Sequence, residues 1–309
     1  MRYLRDTSFM ADADRGATVA IGNFDGVHLG HQAILDVARN AAKAPLGVVT
    51  FEPHPRAHFA PDAPPFRLMN AEAKANRLEA LGVERLYELR FSDKMAALTP
   101  EAFCAEILRD QLGLAHVTVG ADFCFGKARA GTAEMLQTYG AEMGFGVTIA
   151  QLIATEGIEV SSTRIRQALS DGQPELAAEM LGHLHRIEGP VIQGDQRGRE
   201  LGYPTANMSI DGLHPPKFGV YAVKVDVLTG EHEGSYTGVA STGVRPMFGE
   251  NHPNIETHVF DFAGDLYGAS LSVALVAYLR PEQKFESLDA LIQQMDADSA
   301  KARAILATA

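Results

Sequence analysis

The sequence predicts an α/β chain of two domains: a parallel sheet covered by helices, then an antiparallel sheet or small barrel that ends in a helix. Three observations predict it. In the first half, strand-like apolar runs alternate with helical patterns. In the second half, β-branched and aromatic runs follow one another without long helices between them. The 309 residues are enough for two cores, at roughly 100–200 residues per domain.

Taken in order, Thr18–Ile21, Leu46–Phe51, Arg85–Phe91, His116–Val119 and Val147–Leu152 read as strands. Between them, Ala33, Ile34, Val37, Ala38 and Ala41 recur at helical spacing within Gln32–Ala42. Ala71, Ala75, Leu78 and Leu81 do the same within Ala71–Leu81. Strands alternating with helices imply parallel pairing, and such sheets bind ligands beyond the carboxyl ends of their strands. Further on, Val220–Val227, Tyr236–Ala240, Ile255–Phe262 and Leu271–Leu279 read as antiparallel strands. Leu288–Ala307 is an amphipathic helix with Leu288, Leu291, Ile292, Met295, Ala302 and Ile305 on its apolar side. The composition changes around Gly182–Glu188, which places the domains at 1–183 and 184–309.

Composition excludes several classes of function. The 46% hydrophobic and 21% charged fractions are those of a globular protein. A net charge of −12 argues against a general affinity for nucleic acid or anionic membrane and leaves room only for local basic pockets. No apolar run approaches the roughly 18 residues that span a bilayer. The N-terminal segment has charges but no apolar core, so it does not read as a signal peptide. Cys104 and Cys124 cannot form a disulfide framework or a four-thiolate zinc site. A cytoplasmic protein is the expectation.

The first chemical motif is GNFDGVHLGHQ, Gly22 to Gln32. A strand ends at Ile21, a glycine-containing turn follows, and a helix starts near Gly30. A helix N-terminus presents free backbone N–H groups and a partial positive charge. His28 and His31 share one helical face and can donate to charge developing at phosphorus. Two surface histidines at a helix start, or a metal pair lacking its third ligand, are the alternatives. SSTRIRQAL, Ser161 to Leu169, supplies hydroxyls and Arg164, whose guanidinium matches phosphate geometry. Ser161 or Ser162 also reads as a helix cap. The segment GADFCFGKAR is not a Walker A loop: five residues separate its glycines and Ala128 follows Lys127.

The second motif is GDQRGRELGYPTAN, Gly194 to Asn207. Gly194 and Gly198 with Arg197 and Arg199 suit a phosphate-cradling loop, or a plain structural turn. Thr205 and Asn207, flanking Pro204 and Ala206, offer oxygen ligands to a hard cation such as Mg²⁺. In NIETHVFDF, alternation sets Glu256 on the face opposite Thr257 and Val259, where it is either an exposed carboxylate or a general base.

HxGH and SSTRIR together resemble nucleotidyltransferases that carry an HxGH and an ISSTxxR-like motif. The chain as a whole resembles the prokaryotic bifunctional riboflavin kinase/FMN adenylyltransferase (FAD synthetase) family. GNFDGVHLGHQ, VVTFEPHPR, GADFCFGKARAG and SSTRIRQAL match its adenylyltransferase module, and GRELGYPTAN, FGVYAVKV and IETHVFDF its kinase module. The resemblance implies a Rossmann-like nucleotidyltransferase domain followed by a β-barrel riboflavin kinase domain. It implies phosphorylation of riboflavin by ATP to FMN, then adenylylation of FMN by a second ATP to FAD with release of pyrophosphate.

By the same resemblance, Glu256 is the general base, and Thr205 and Asn207 hold Mg²⁺ and the ATP phosphates. Gly22, Asn23, Phe24, His28 and His31 belong to one ATP-phosphate motif, Ser162, Thr163 and Arg164 to a second, and Asp122 lies near the flavin. The partners implied are small molecules (riboflavin, FMN and ATP), with a monomer or weak homo-oligomer expected. Ser241, Thr242 and Met247 depart from the family's commoner Asn-Ile and Thr, and Cys124 from a commoner Arg. Met247 and Cys124 are the support for the alternative, a flavin-binding or sensing protein that has lost one or both activities. An adenylyltransferase for another phosphorylated substrate is disfavoured by the kinase-like half.

Overall fold

The computed structural model describes residues 1–7, 9–151, 160–194, 202–247 and 250–308. They form two compact units, Met1–Ala63 with Lys74–Glu159, and Pro64–Ala73 with Val160–Ala309.

In the first unit the strands are β1 (Arg2–Leu4), β2 (Thr18–Ile21), β3 (Leu46–Glu52), β4 (Arg85–Arg90), β5 (His116–Gly120), β6 (Cys124–Phe125), β7 (Gly131–Thr132) and β8 (Gly146–Ala150). The helices are α1 (Leu29–Ala41), α2 (Pro55–Phe59), α3 (Ala71–Ala80, its larger part here), α4 (Asp93–Ala96), α5 (Pro100–Ala102) and α6 (Ala133–Met143), with a π-helical stretch at Phe103–Gln111. The main sheet runs β1-β4-β3-β2-β5-β8, with every pair parallel. All four residues of β2 are buried, as a parallel strand covered on both faces requires. Val19, Ile21, Val49 and Leu89 pack with Leu108 and Leu136 from the covering helices. After β2 the chain builds to one side through β3 and β4, then crosses to the other through β5 and β8. The crevice at such a reversal is where open α/β sheets take ligands.

The five expected strands and the two expected helices are present within a few residues. Leu152, the end of the last expected strand, lies outside the described residues. β1 carried no apolar signal because its residues are at most half-buried.

The second unit holds α7 (Ser162–Asp171), α8 (Pro174–Leu181) and strands β9 (Arg186–Pro190), β10 (Ala206–Ser209), β11 (Gly219–Val227), β12 (Gly234–Met247), β13 (Glu250–Val259) and β14 (Ser270–Arg280), then α9 (Leu288–Leu306). The order β10-β13-β12-β11-β14-β9 is antiparallel throughout. An antiparallel bridge from Ile192, just past β9, to Asn207 on β10 joins the two edges into a nearly closed barrel. Its interior is filled by Met208, Tyr221, Val223, Ile255, Val273 and Leu275. α9 covers the outer face, with Ala302 against Val220, Ala222 and Leu279.

Residues 160–183 go with the barrel rather than with the parallel sheet. The Lys217 N–H donates to Leu169 O at 2.9 Å, and Ser170 Oγ meets His214 Nε2 at 2.9 Å. The excursion 64–73 joins the same unit. Arg67 bridges Leu213, the His214 N–H donates to Arg67 O at 2.8 Å, and Asn70 Nδ2 donates to Glu188 O at 2.8 Å.

Arg280 on β14 donates to the buried Asp298 on α9 through Nε at 2.9 Å and Nη2 at 2.7 Å. Removing one partner of such a pair strands the other charge. Asp298→Ala is expected to cost about 3 kcal/mol of stability in the second unit, read by urea unfolding. A change under about 0.5 kcal/mol would show that α9 is held by apolar contacts alone.

Candidate active sites

In the first unit, the turn after β2 leaves the carboxyl end of the sheet at Gly22 and enters α1 at Leu29. It is a strained turn: Phe24, Gly26 and Val27 have φ of 51°, 85° and 42°. For a β-branched residue such a φ is a true outlier, and it persists only where the surroundings over-determine it. Here the Val27 N–H donates to Phe24 O at 3.2 Å, Gln32 Nε2 to Val27 O at 2.9 Å, and Thr50 Oγ1 to Asn23 O at 3.3 Å. The Phe24 ring is buried beneath Gly22 and against His31, while Asn23 is exposed.

His28 caps α1. Its Nδ1 accepts the His31 N–H at 3.3 Å, so in the neutral ring Nε2 carries the proton and can donate to an anion. The rings of His28 and His31 stack, with centroids 3.7 Å apart and planes at 14°. The glycine of HxGH has a spatial reason: a Cβ at Gly30 would lie 3.2 Å from the His28 ring. Burial first, then the nearness of His28 and Lys74, holds the His31 imidazole well below the usual histidine range. His31 Nδ1 is buried without a hydrogen-bond partner among the described residues.

Other groups stand on the same edge of the sheet because parallel strands all end there. Asp122 follows β5 and is exposed, and its carbonyl accepts Cys124 Sγ at 3.6 Å. Thr50 and Glu52 end β3. Beyond them lies an edge-to-face aromatic group of Phe51, His58, Phe59 and Phe91, with Phe59 69% exposed. Sequence reasoning passed over these aromatics, and also Lys74, which is 3% exposed and donates to Thr50 Oγ1 at 3.1 Å and to Glu52 Oε1 at 3.0 Å. The signal for Lys74 was there: it is a charged residue on the apolar stripe of Ala71, Ala75 and Leu78.

The second unit contains both remaining motifs. Ser161 is the N-cap of α7, accepting the Arg164 N–H at 3.4 Å; Ser162 is half-buried, and Thr163 and Arg164 are exposed. On the barrel, Glu256 lies directly opposite Asn207 on β10 and opposite Ser241 on β12. Opposed residues share a face, so these three point outward while Ile255, Thr257 and Val259 fill the interior. The buried Asn254 donates from Nδ2 to Glu256 Oε1 at 3.4 Å. Thr242 turns inward, and its hydroxyl donates to backbone at Gly219 O, 3.3 Å away. Of the two departures from Asn-Ile, only Ser241 therefore faces the carboxylate. Met247 sits on β12 opposite Glu250.

Asn207 Nδ2 lies 3.4 Å from Thr205 O and 3.5 Å from Thr205 Oγ1. A Cβ at Gly194 would meet that amide at 2.6 Å, so any side chain there would displace it. His258 Nδ1 donates to Pro204 O at 2.9 Å, fixing the segment to β13. A cavity of about 330 Å³ opens beside Thr205 and Asn207 and runs between Val259, Phe262 and Leu266. That is the size of a small-molecule site. Arg197, Gly198 and Arg199 lie outside the described residues.

Known proteins decide which family has these two sites. The family model described as FAD synthetase matches residues 10–164, and that described as riboflavin kinase matches residues 181–306. The bifunctional riboflavin kinase/FMN adenylyltransferase of Pseudomonas fluorescens is 42% identical over 99% of this chain and 98% of its own. The chain belongs to this family.

The protein of the same name from Bacillus subtilis is 37% identical over 93% of this chain and 91% of its own. A solved structure from Streptococcus pneumoniae, called a macrolide-efflux protein, has 33% identity and a TM-score of 0.82 over 97% of this chain and 98% of that one. Among the described residues, no helix of this chain is long and apolar enough to cross a membrane. The order of the family, FAD synthetase first and kinase second, is the order of the two sheets.

The depressed His31 predicts a pH dependence. Below about pH 6.5 the unfolded chain protonates this ring while the folded chain does not, so stability falls as pH drops through that value. In an NMR titration from about pH 8 to about pH 5.5, the His31 ring signal is expected to stay flat. A midpoint near the ordinary histidine value would contradict its burial.

Proposed function

We propose that the family's two reactions are carried by the residues named above, with riboflavin kinase activity in 184–309 and FMN adenylyltransferase activity in 1–183. The observation that carries the kinase half is the register that sets Glu256 between Ser241 and Asn207, the latter a lining residue of the cavity at Thr205. ATP occupies that cavity with its phosphates at Thr205, Asn207 and the Gly194 loop. Glu256 takes the proton of the ribityl 5′-hydroxyl as its oxygen attacks the γ-phosphorus of ATP, giving FMN and ADP.

Mg²⁺ fits this donor set. Among the described residues no group of three His, Cys, Asp or Glu could hold a metal, so the protein offers neutral oxygens at Thr205 and Asn207. That suits an ion bound chiefly through substrate phosphates and water. When bound, it neutralises phosphate charge as the transfer proceeds.

In the adenylyltransferase half, the N-terminus of α1, His28 and His31 face the ATP phosphates, and Asn23 and Gly22 form the turn beneath them. The second motif, Ser162, Thr163 and Arg164, offers an exposed guanidinium that matches phosphate geometry. The FMN phosphate is already ionised at neutral pH and attacks the α-phosphorus without a base, expelling pyrophosphate. Positioning and charge stabilisation carry the step. The exposed Phe59 with Phe91 offers a planar isoalloxazine ring a face to stack on. A cytoplasmic setting accords with two free cysteines and ATP as co-substrate.

His28→Ala is expected to lower FAD formation by about 10²-fold or more while FMN formation continues. Glu256→Ala should do the reverse, cutting FMN formation by about 10²–10⁴-fold while supplied FMN is still adenylylated. Chromatography of timed reactions with riboflavin or FMN, ATP and Mg²⁺ reads both. Parallel loss of the two products in either variant would undo the assignment of one residue set to each reaction. Chelation of Mg²⁺ should stop both reactions, and its return should restore them.

A further inference from the structure

Lys74 is a buried cation that neither reaction uses directly. Its side chain is 3% exposed, a rare fate for lysine unless it is paired. Its ammonium is 3.0 Å from Glu52 Oε1 and 3.1 Å from Thr50 Oγ1. Ion pairing explains only the first contact.

The second contact has a directional consequence. An ammonium is donor only, so Thr50 Oγ1 must accept from it. The Thr50 hydroxyl is left to donate, and Asn23 O lies 3.3 Å away. Chained donors of this kind polarise and orient one another. Asn23 O is the last carbonyl before the left-handed turn at Phe24, Gly26 and Val27, which delivers His28 and the first turn of α1. Lys74 also lies close enough to His31 to act on it electrostatically.

The geometry points to Lys74 as a positioning residue for adenylyl transfer, which acts through the Thr50 hydroxyl on the Asn23 carbonyl to fix the turn carrying His28. It touches no ligand. The inference rests on the reading of Gly22–His31 as an ATP-phosphate site.

The test uses the full chain with Thr50→Val, Lys74→Met, Lys74→Arg and the double variant Thr50→Val/Lys74→Met. FAD formation from FMN and ATP is resolved into kcat and KM, and FMN formation from riboflavin in the same preparation records the folded state of the chain. Thr50→Val and Lys74→Met should each lower kcat for FAD formation, the latter on the order of 10²-fold, as a small misplacement of reacting groups does. KM for FMN and the rate of FMN formation should stay within about twofold, the ordinary scatter of a neutral change. The double variant should be no worse than Lys74→Met, and Lys74→Arg should recover part of the loss.

Unchanged kcat in both single variants would overturn the proposal, as would additive losses in the double variant or a matching fall in FMN formation. Should Lys74→Met fail to fold, Thr50→Val decides alone. His28→Ala, run alongside, separates the two levels. If it leaves FAD formation intact, the phosphate-site reading fails; if it abolishes FAD formation while Thr50 and Lys74 prove neutral, only the positioning role fails.

Discussion

Strand register decides which side chains can meet in this chain, and it does so differently in its two sheets. Parallel pairing forces every connection after β2, β3, β4 and β5 to leave from one edge. The His28 turn, Thr50 with Glu52, the Phe91 aromatics and Asp122 therefore gather on a common rim although they are far apart in sequence. Antiparallel pairing instead lines residues up across strands. Glu256 has Asn207 on one side and Ser241 on the other because of the ladder positions of β10, β13 and β12. A slip of one residue would turn the carboxylate into the barrel and a core side chain out of it.

Both reactions handle polyanions on a chain of net charge −12. Long-range attraction is absent, so binding depends on short-range donors whose orientation is fixed beforehand. The proposed sites draw such donors from a helix N-terminus and from the barrel. In the proposed first site α1 offers backbone N–H groups and His28, whose Nδ1 is taken up by its cap bond. The barrel offers a hydroxyl and an amide pressed against Gly194.

The fold was largely legible in the sequence because the apolar runs of both sheets are long and pure. Alternation around Ile255, Glu256, Thr257 and Val259 gave the correct facing of the carboxylate. The HxGH spacing likewise gave the correct shared face of the two histidines. What escaped was whatever depends on partners distant in sequence. β1 and β10 are short strands defined by their neighbours, and the inward turn of Thr242 is decided by the carbonyls of Lys217 and Gly219. Lys74 was visible as an exception to an apolar stripe, but its meaning required knowing that Thr50 and Asn23 lie above it. The allegiance of residues 160–183 was hidden for the same reason. α7 and α8 follow the last parallel strand in sequence, and only bonds such as the one from Lys217 to Leu169 tie them to the barrel.

The excursion 64–73 bears on how the chain is made. Phe66, Leu68 and Met69 are buried within a unit whose strands lie far downstream, and Arg67 finds Leu213 only after roughly 150 more residues have emerged from the ribosome. At about 5–20 residues per second, that apolar stretch waits roughly 7–30 s for its partners. Over that interval its apolar side chains are without the surface that buries them in the folded chain. The core of the first unit can therefore close early during synthesis, while this loop, which belongs to the second unit, stays undocked until the barrel exists.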